Sequence, residues 1–437
     1  MMLTPSTKTE NKEIIDNVNV TEDKENADAT KENKEKSAEE KSEKEKSEEE
    51  KSAEEKSEEE KSAEVEKKNR KSGIALIQAC NKGFANTALT LLENDDCCTN
   101  YVNEEGNTAL ILACGYKMES VAMKILERGG DCALAQTNNK YSNTALILAC
   151  DNKMNNIAMK ILERGGDCAL QTNNKYGNTA LILACDNKME DVAMKILERG
   201  GDCALAQTNN EYGNTALILA CNYKMESVAM KILKRGGDCA LTQTNNEYGN
   251  TALILACDNK MEDVVMKILD RLCENRQAKS ENDDSVDVNE NWLEKYINQT
   301  NKDYSNTALI LAMTYCMYRV VDKILKIKSC KVNVNHENKK GETALYCSLK
   351  NINNNLINTQ KVIRFIQHDS VVVDLKSLIY ACENNNKPSH DQNIINTMMH
   401  LEEGKMVYDP EKQSKNINGM VLLQACRFSN SKLALQI

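Results

Sequence analysis

Apolar positions in this chain arrive in short bursts. In GNTALILACDNKMEDVAMKILERGGDCALAQTNNEY, from Gly177 to Tyr212, residues Leu181, Ala184 and Cys185 stand at i, i+3 and i+4, the spacing of one helical face. Thr179 precedes them as an N-cap whose hydroxyl can accept from the amide three residues on, and Asp186-Asn187-Lys188 breaks the run. A second burst turns Met189, Val192, Ala193, Ile196 and Leu197 inward and Lys195, Glu198 and Arg199 outward. Gly200-Gly201 ends it, the first glycine suited to a left-handed cap. The pattern predicts two helices of two to three turns, each too short to persist alone in water.

The same bursts recur. TALILAC begins at Thr108, Thr144, Thr179, Thr215 and Thr251, and TALILAM at Thr307, at intervals of 36 residues, once 35 and once 56. One pair cannot enclose its own apolar faces, but stacked pairs bury one another. The expected fold is therefore an all-α repeat solenoid. GIALIQACNKGFANTALTLLEND from Gly73 reads as a first, capping repeat, and residues 272–298, which carry the single tryptophan, Trp292, read as an insertion with a short helix at NWLEKYI. Repeats resume over 299–376; SLIYAC from Ser377 and VLLQAC from Val421 are degenerate copies within 377–437, leaving 73–271 as the regular array.

Composition changes the picture mainly at the N-terminus. Residues 1–72 hold 16 Lys and Arg against 23 Asp and Glu and repeat KSAEE-like units every five residues from Lys36. With so few apolar groups to offset the entropy of ordering, this acidic segment is expected to be a disordered tail; Ser47, Ser52 and Ser57 precede acidic runs of the kind acidophilic kinases favour. The whole chain of 437 residues carries a net charge of -10, of which -3 falls on 73–437, which disfavours a nucleic-acid partner. No apolar run approaches the roughly 18 residues of a membrane span, and the first residues lack the apolar core of a secretory signal. Eighteen cysteines without an export signal point to a reducing compartment, the cytoplasm or alternatively the nucleus.

The helix-turn-helix unit resembles the ankyrin repeat, whose pattern opens with Gly-x-Thr-Pro-Leu-His-x-Ala and closes with Gly-Ala-Asp. The matching strings are GNTALILAC at Gly106, Gly177, Gly213 and Gly249, SNTALILA at Ser142 and Ser305, GETALY at Gly341, and GGD at Gly129, Gly165, Gly200 and Gly236. Three departures carry expectations. Isoleucine at 111, 147, 182, 218 and 254 replaces the family histidine, substituting apolar packing for a hydrogen bond between repeats. Lysine at 117, 153, 188, 224 and 260 stands where the family has the glycine between helices; because positive φ strains lysine, the preceding residue is expected to take that conformation. The period exceeds the family's, and the surplus after GGD predicts longer or looser hairpin fingers.

Candidate chemistry is sparse. Cys114, Cys150, Cys185, Cys221 and Cys257 form one series, with Cys80, Cys382 and Cys426 at matching places, and Cys132, Cys168, Cys203 and Cys239 form a second. Neighbouring helices about 8–10 Å apart exceed the roughly 7 Å Cα separation a disulfide tolerates, so the thiols read as core filler. His336, His368, His390 and His400 share no motif with a nucleophile or paired carboxylates, and GG here terminates helices rather than cradling phosphate. No catalytic, cofactor or metal set is expected.

What remains is surface. The loops before successive repeats read NNKY, NNEY or NKDY, placing a varying charge, Lys140, Lys175, Glu211, Glu247 and Asp303, beside a constant Tyr141, Tyr176, Tyr212, Tyr248 and Tyr304. The resemblance implies that hairpin tips and inner helices line a concave partner-binding groove, so these ten residues are the candidate contacts. The plainer reading is that the tyrosines pack hairpin on hairpin and the charges only hydrate the loop. The expected function is a non-catalytic, monomeric protein-interaction scaffold; the rivals are a structural spacer without a groove-bound partner and a thiol or metal store.

Overall fold

In the computed structural model the chain divides into residues 1–68 and 69–437. The structure describes residues 62–129, 134–165, 169–170, 172–200, 204–236, 238–282, 292–327, 330–351, 356–383, 392–399 and 406–407. Of the first unit only 62–68 is described; it is helical and exposed, although the acidic segment to 72 reads as a tail. Ala63, Glu64, Glu66, Lys67 and Lys68 are good helix formers, and Glu64 and Lys68 have the favourable Glu-before-Lys order at i, i+4. The rest of the expected tail, residues 1–61, lies outside the described residues.

The second unit is a stack of helix pairs. Residues 69–81 and Ala85–Glu93 form the first pair. Inner helices follow at Ala109–Gly115, Ala145–Asp151, Ala180–Asp186, Ala216–Asn222, Ala252–Asp258 and Ala308–Thr314. Their outer partners are Glu119–Glu127, Asn155–Glu163, Glu190–Arg199, Glu226–Arg235, Glu262–Asn282 and Tyr318–Leu325. Further pairs are Ala344–Asn351 with Leu356–Ile366 and Leu375–Glu383 with Gln392–Met399. Among the described residues none of these helices is long and apolar enough to cross a membrane.

Each inner helix starts on its threonine as the capping preference requires. The hydroxyls of Thr108, Thr144, Thr179, Thr215, Thr251 and Thr307 accept from the amides of Ile111, Ile147, Ile182, Ile218, Ile254 and Ile310 at 3.1–3.2 Å. Burial goes further than a single face. All of Ala180 to Cys185 is buried, because the inner helix packs against its outer partner and both neighbouring inner helices. The isoleucines at the family's histidine position are among the most buried residues, as substitution by apolar packing predicts.

The turn between helices overturns one expectation. Lys117, Lys153, Lys188, Lys224 and Lys260 themselves adopt φ of 58–59°, and Cys316 does likewise. The reason is the closing geometry. Met118 N–H donates to Ala113 O at 2.8 Å and Lys117 N–H to Cys114 O at 3.3 Å, the two bonds of a Schellman end, which put the left-handed residue one place after the cap. The preceding residue is committed elsewhere: Asn152, Asn187 and Asn259 donate through Nδ2 to Cys114, Cys150 and Cys221 carbonyls of the previous repeat at 2.8–2.9 Å. Only the first repeat has glycine there, Gly83. Two outer helices, Glu190–Arg199 and Glu226–Arg235, end on the predicted glycine, with Gly200 and Gly236 in left-handed caps. Arginine adds a bond across repeats: Arg128 donates to the carbonyls of Leu92, Asn94 and Asp95, Arg164 to Leu126 and Arg235 to Leu197.

The surplus after GGD is described only in part. Its Ala-Leu pairs, Ala169-Leu170, Ala204-Leu205 and Ala240-Leu241, are buried, the last within a helical turn, Asp238–Leu241. The insertion also differs from a plain loop. The outer helix Glu262–Asn282 runs on into it, and Trp292–Ile297 forms the expected helix with Leu293, Tyr296 and Ile297 buried. Stacking continues past it, with Ala308–Thr314 against Ala252–Asp258 and Arg319 paired to Asp263 at 3.5 Å. In the degenerate region Asp374 takes over as cap, its carboxylate accepting from Ser377 N–H at 2.8 Å and from the Thr343 hydroxyl at 2.8 Å. VLLQAC from Val421 lies outside the described residues.

Two substitutions test this account by chemical denaturation of the full chain. Thr215→Ala removes one buried cap and is expected to cost about 1 kcal/mol, with Thr215→Ser recovering most of it; no difference between the two would show that the cap is immaterial. Lys153→Gly relieves one left-handed lysine and is expected to raise stability by up to about 1 kcal/mol, whereas a loss would show that the lysine side chain outweighs its strained backbone.

Candidate functional site

The fingers are built by asparagine. Oδ1 of Asn138 accepts from the amides of Tyr141 and Asn143, that of Asn209 from Tyr212 and Asn214, that of Asn245 from Tyr248 and Asn250, and that of Asn301 from Tyr304 and Asn306, all at 2.8–3.3 Å. In the 35-residue repeat the role passes to Asn174, and the tip is one residue shorter: Gly177 N–H bonds to Asn174 O, where Ser142 N–H bonds four residues back to Asn138 O. A positive φ closes each tip. At Gly177, φ is +75° and a Cβ would stand 2.6 Å from Thr208 O, so the next finger comes too close for a side chain.

The tips join into one backbone ladder. Tyr141 O accepts from Lys175 N–H, Tyr176 O from Asn210 N–H, Tyr212 O from Asn246 N–H and Tyr248 O from Lys302 N–H, at 2.7–2.9 Å. Tyr304 O accepts from Lys339 N–H at 2.8 Å, so the ladder runs on beyond the insertion. The tyrosines are thus held by their main chains, and their rings are left outside the core. Tyr176, Tyr212, Tyr248 and Tyr304 are 55, 41, 41 and 52% exposed. Tyr141 and Tyr176 stack at 6.0 Å between centroids, the hairpin-on-hairpin packing of the plainer reading, and among the described residues this pair alone of the five stacks ring on ring.

The varying charges sit on these rings. Lys140 Nζ lies 4.9 Å from the Tyr141 centroid, and a hydrogen bond to that tyrosine raises the lysine pKa. Glu211 and Glu247 accept from the hydroxyls of Tyr212 and Tyr248 and push both phenols above their ordinary pKa. Lys175 departs from the row: in its shorter tip it occupies the position of the ladder donor. Asp303 is exposed beside Tyr304, and Lys340 of the next finger, absent from the sequence-based set, lies 5.5 Å over that ring.

A second row faces the fingers across the inner helices, and motif reading passed over it because Asp-Asn-Lys reads there simply as a helix stop. Tyr223 donates to Asp186 Oδ1 at 3.3 Å and Tyr315 to Asp258 Oδ1 at 3.2 Å, while Lys188 and Lys260 each sit 4.7 Å over those same rings. The available signal was the restriction of positions 116, 152, 187, 223, 259 and 315 to Tyr or Asn. Between the two rows runs a groove of about 570 Å³, floored by Leu183, Ile218 and Leu219 and walled by tips and helix ends.

The thiols belong to the core instead. Cys80, Cys114, Cys150, Cys185, Cys221 and Cys257 are free and buried. Burial pushes the Cys80 thiol from 9.0 up to about 12 and raises the other five as well. The side chains of Cys132, Cys168, Cys203, Cys239, Cys382 and Cys426 lie outside the described residues. Among the described residues no group of three His, Cys, Asp or Glu is placed to hold a metal. Because the folded pKa values are raised, the thiols' contribution to stability is complete below pH 9 and lost as pH climbs toward the folded values. Denaturation midpoints should therefore fall above about pH 9, and a Cys150→Ala, Cys185→Ala chain should fall less steeply; parallel pH profiles would show that these thiols are not desolvated.

Comparison with known proteins places this geometry. Residues 122–207 and 202–279 match a family model described as ankyrin repeats, three copies. No curated protein matches the chain. Similar solved structures include a chain of the complex of the predatory endopeptidase Bd0816 from Bdellovibrio bacteriovorus with immunity protein Bd3460, at 23% identity over 44% of this chain and 96% of that one, TM-score 0.33. EF0377, an ankyrin repeat protein, is similar at 24% identity over 45% and 96%, TM-score 0.33. The ankyrin repeat domain of Bcl-3, described as a unique member of the IkappaB protein family, is similar at 18% identity over 60% and 100%, TM-score 0.36.

Proposed function

With ankyrin repeats established over residues 122–279, we propose that the chain is a non-catalytic protein-interaction scaffold that grips a partner in the groove between its finger tips and inner helices. Ankyrin repeats are in general protein-binding modules, and the observation that carries the reading here is the fixed row of exposed tyrosines. A ladder of main-chain bonds holds Tyr176, Tyr212, Tyr248 and Tyr304 in place while leaving their rings outside. Preformed aromatic side chains bind at low entropic cost and dominate interface energetics. The free, buried thiols fit a reducing compartment, cytoplasm or nucleus, and the regular array of residues 73–271 with its continuation at 299–376 acts as one monomeric surface needing no cofactor.

Affinity capture from cytosol with the full chain tests this beside a Tyr176→Ala, Tyr212→Ala, Tyr248→Ala variant of equal helicity by circular dichroism. A partner held by the first and weakened at least tenfold, about 1.4 kcal/mol, on the second is the expected result. Identical captures would leave the array as a spacer.

A further inference from the structure

Resting on that scaffold reading, we propose that the groove takes an extended basic segment of the partner protein, presenting Lys or Arg at every third residue. Four carboxylates line the groove, Glu211 and Glu247 from the tips and Asp151 and Asp186 from the inner-helix ends, and among its described lining residues there is neither Lys nor Arg. One helix-end cation, Lys188, lies over the Tyr223 ring at 4.7 Å. Acidic groups therefore stand on both walls, with apolar Leu183, Ile218 and Leu219 between them. Asp151 is held above its ordinary pKa by desolvation and, against the opposing pull of Lys117, by the charge of Asp186. A cation between those carboxylates relieves the repulsion.

The tyrosines match the same ligand. Tyr176, Tyr212, Tyr223 and Tyr248 also line the groove, and the flat face of a tyrosine ring accepts an ammonium or guanidinium. Lys140, Lys188, Lys260, Lys340 and Lys376 already lie over tyrosine rings within this chain. Spacing selects the backbone. Inner helices repeat at roughly 8–10 Å; a polyproline-type segment rises about 3.1 Å per residue with three residues per turn, so every third side chain faces the same way about 9 Å on. A basic residue in each third position then meets one repeat after another, whereas a helix or a compact cluster of charge does not. Arginine suits the site best, since its planar fork can bridge a carboxylate and lie on a ring.

Fluorescence anisotropy on the full chain at about 0.15 M salt decides it with three labelled peptides: Arg-Pro-Ser repeated four times, an isomer with the same arginines contiguous, and Glu-Pro-Ser repeated four times. The spaced-arginine peptide is expected to bind, the contiguous isomer roughly fivefold more weakly and the glutamate peptide not at all. Asp186→Asn with Glu211→Gln and Glu247→Gln should weaken the spaced peptide at least tenfold. Glu127→Gln with Glu163→Gln and Glu198→Gln, which removes equal charge from outer-helix side chains 52–54% exposed, should leave it unchanged. Equal loss in both variants, no preference for spacing, or no binding would overturn the inference. If the glutamate peptide binds instead and the tyrosine variant abolishes that binding, the groove stands and the basic partner does not.

Discussion

A seven-residue helix such as Ala180–Asp186 has too few internal hydrogen bonds to offset the ordering of its backbone, and everything else in the array follows from that shortage. Stability must come from neighbours, so an inner helix such as Ala180–Asp186 is buried by the pairs around it and has no exposed position from Ala180 to Cys185. This is why a run of six apolar residues recurs almost letter for letter, why small Ala and Cys occupy the places where helices approach, and why the first amides are satisfied by a buried threonine rather than by water. Among the described residues the main contacts between helices join members of one pair or of adjacent pairs, the nearest-neighbour architecture of a solenoid.

Around this core, three sets of polar bonds tie repeat to repeat. Main-chain bonds join the finger tips, asparagine or tyrosine joins the inner-helix ends, and arginine joins the outer-helix ends. The main-chain, asparagine and arginine bonds satisfy carbonyl or amide groups that a helix or turn terminus would otherwise leave unpaired, whereas tyrosine bonds a carboxylate side chain instead. They also divide the labour among residues. Asn138 or Asn209 shapes a tip whatever charge stands beside its tyrosine, so Lys140 can become Glu211 without disturbing the scaffold. Charge on the groove wall is thereby free to be set by a partner.

Much of the fold was legible from local patterns. The threonine caps, the glycine terminators, the inward set Met189, Val192, Ala193, Ile196 and Leu197, and the short helix at Trp292 all depend on neighbours within about four residues, and each stands where the pattern placed it. The finger tyrosines were legible as a row, since their recurrence is itself a sequence property. Their exposure was not, because it depends on whether the next finger covers the ring, as it does at Tyr141 and does not at Tyr212.

What the tertiary structure alone decided lies across the repeat boundary. The left-handed lysines contradict local preference because each inner helix must close into its outer partner through a Schellman end, as Met118 N–H on Ala113 O does, and where asparagine precedes the lysine its side chain is tied across the boundary, Asn152 to Cys114 and Asn259 to Cys221. The single residue missing before Thr179 shortens a tip and moves Lys175 out of the charge row, a shift visible only once Asn174, not Asn173, is seen to hold the turn. The acidic helix-end row acquires meaning only when Asp186 meets Tyr223 of the next repeat. By itself the sequence determined the helices, their caps and their period, because those forces act within one turn; stacking decided strain, exposure and the groove, because those arise between residues about one repeat apart.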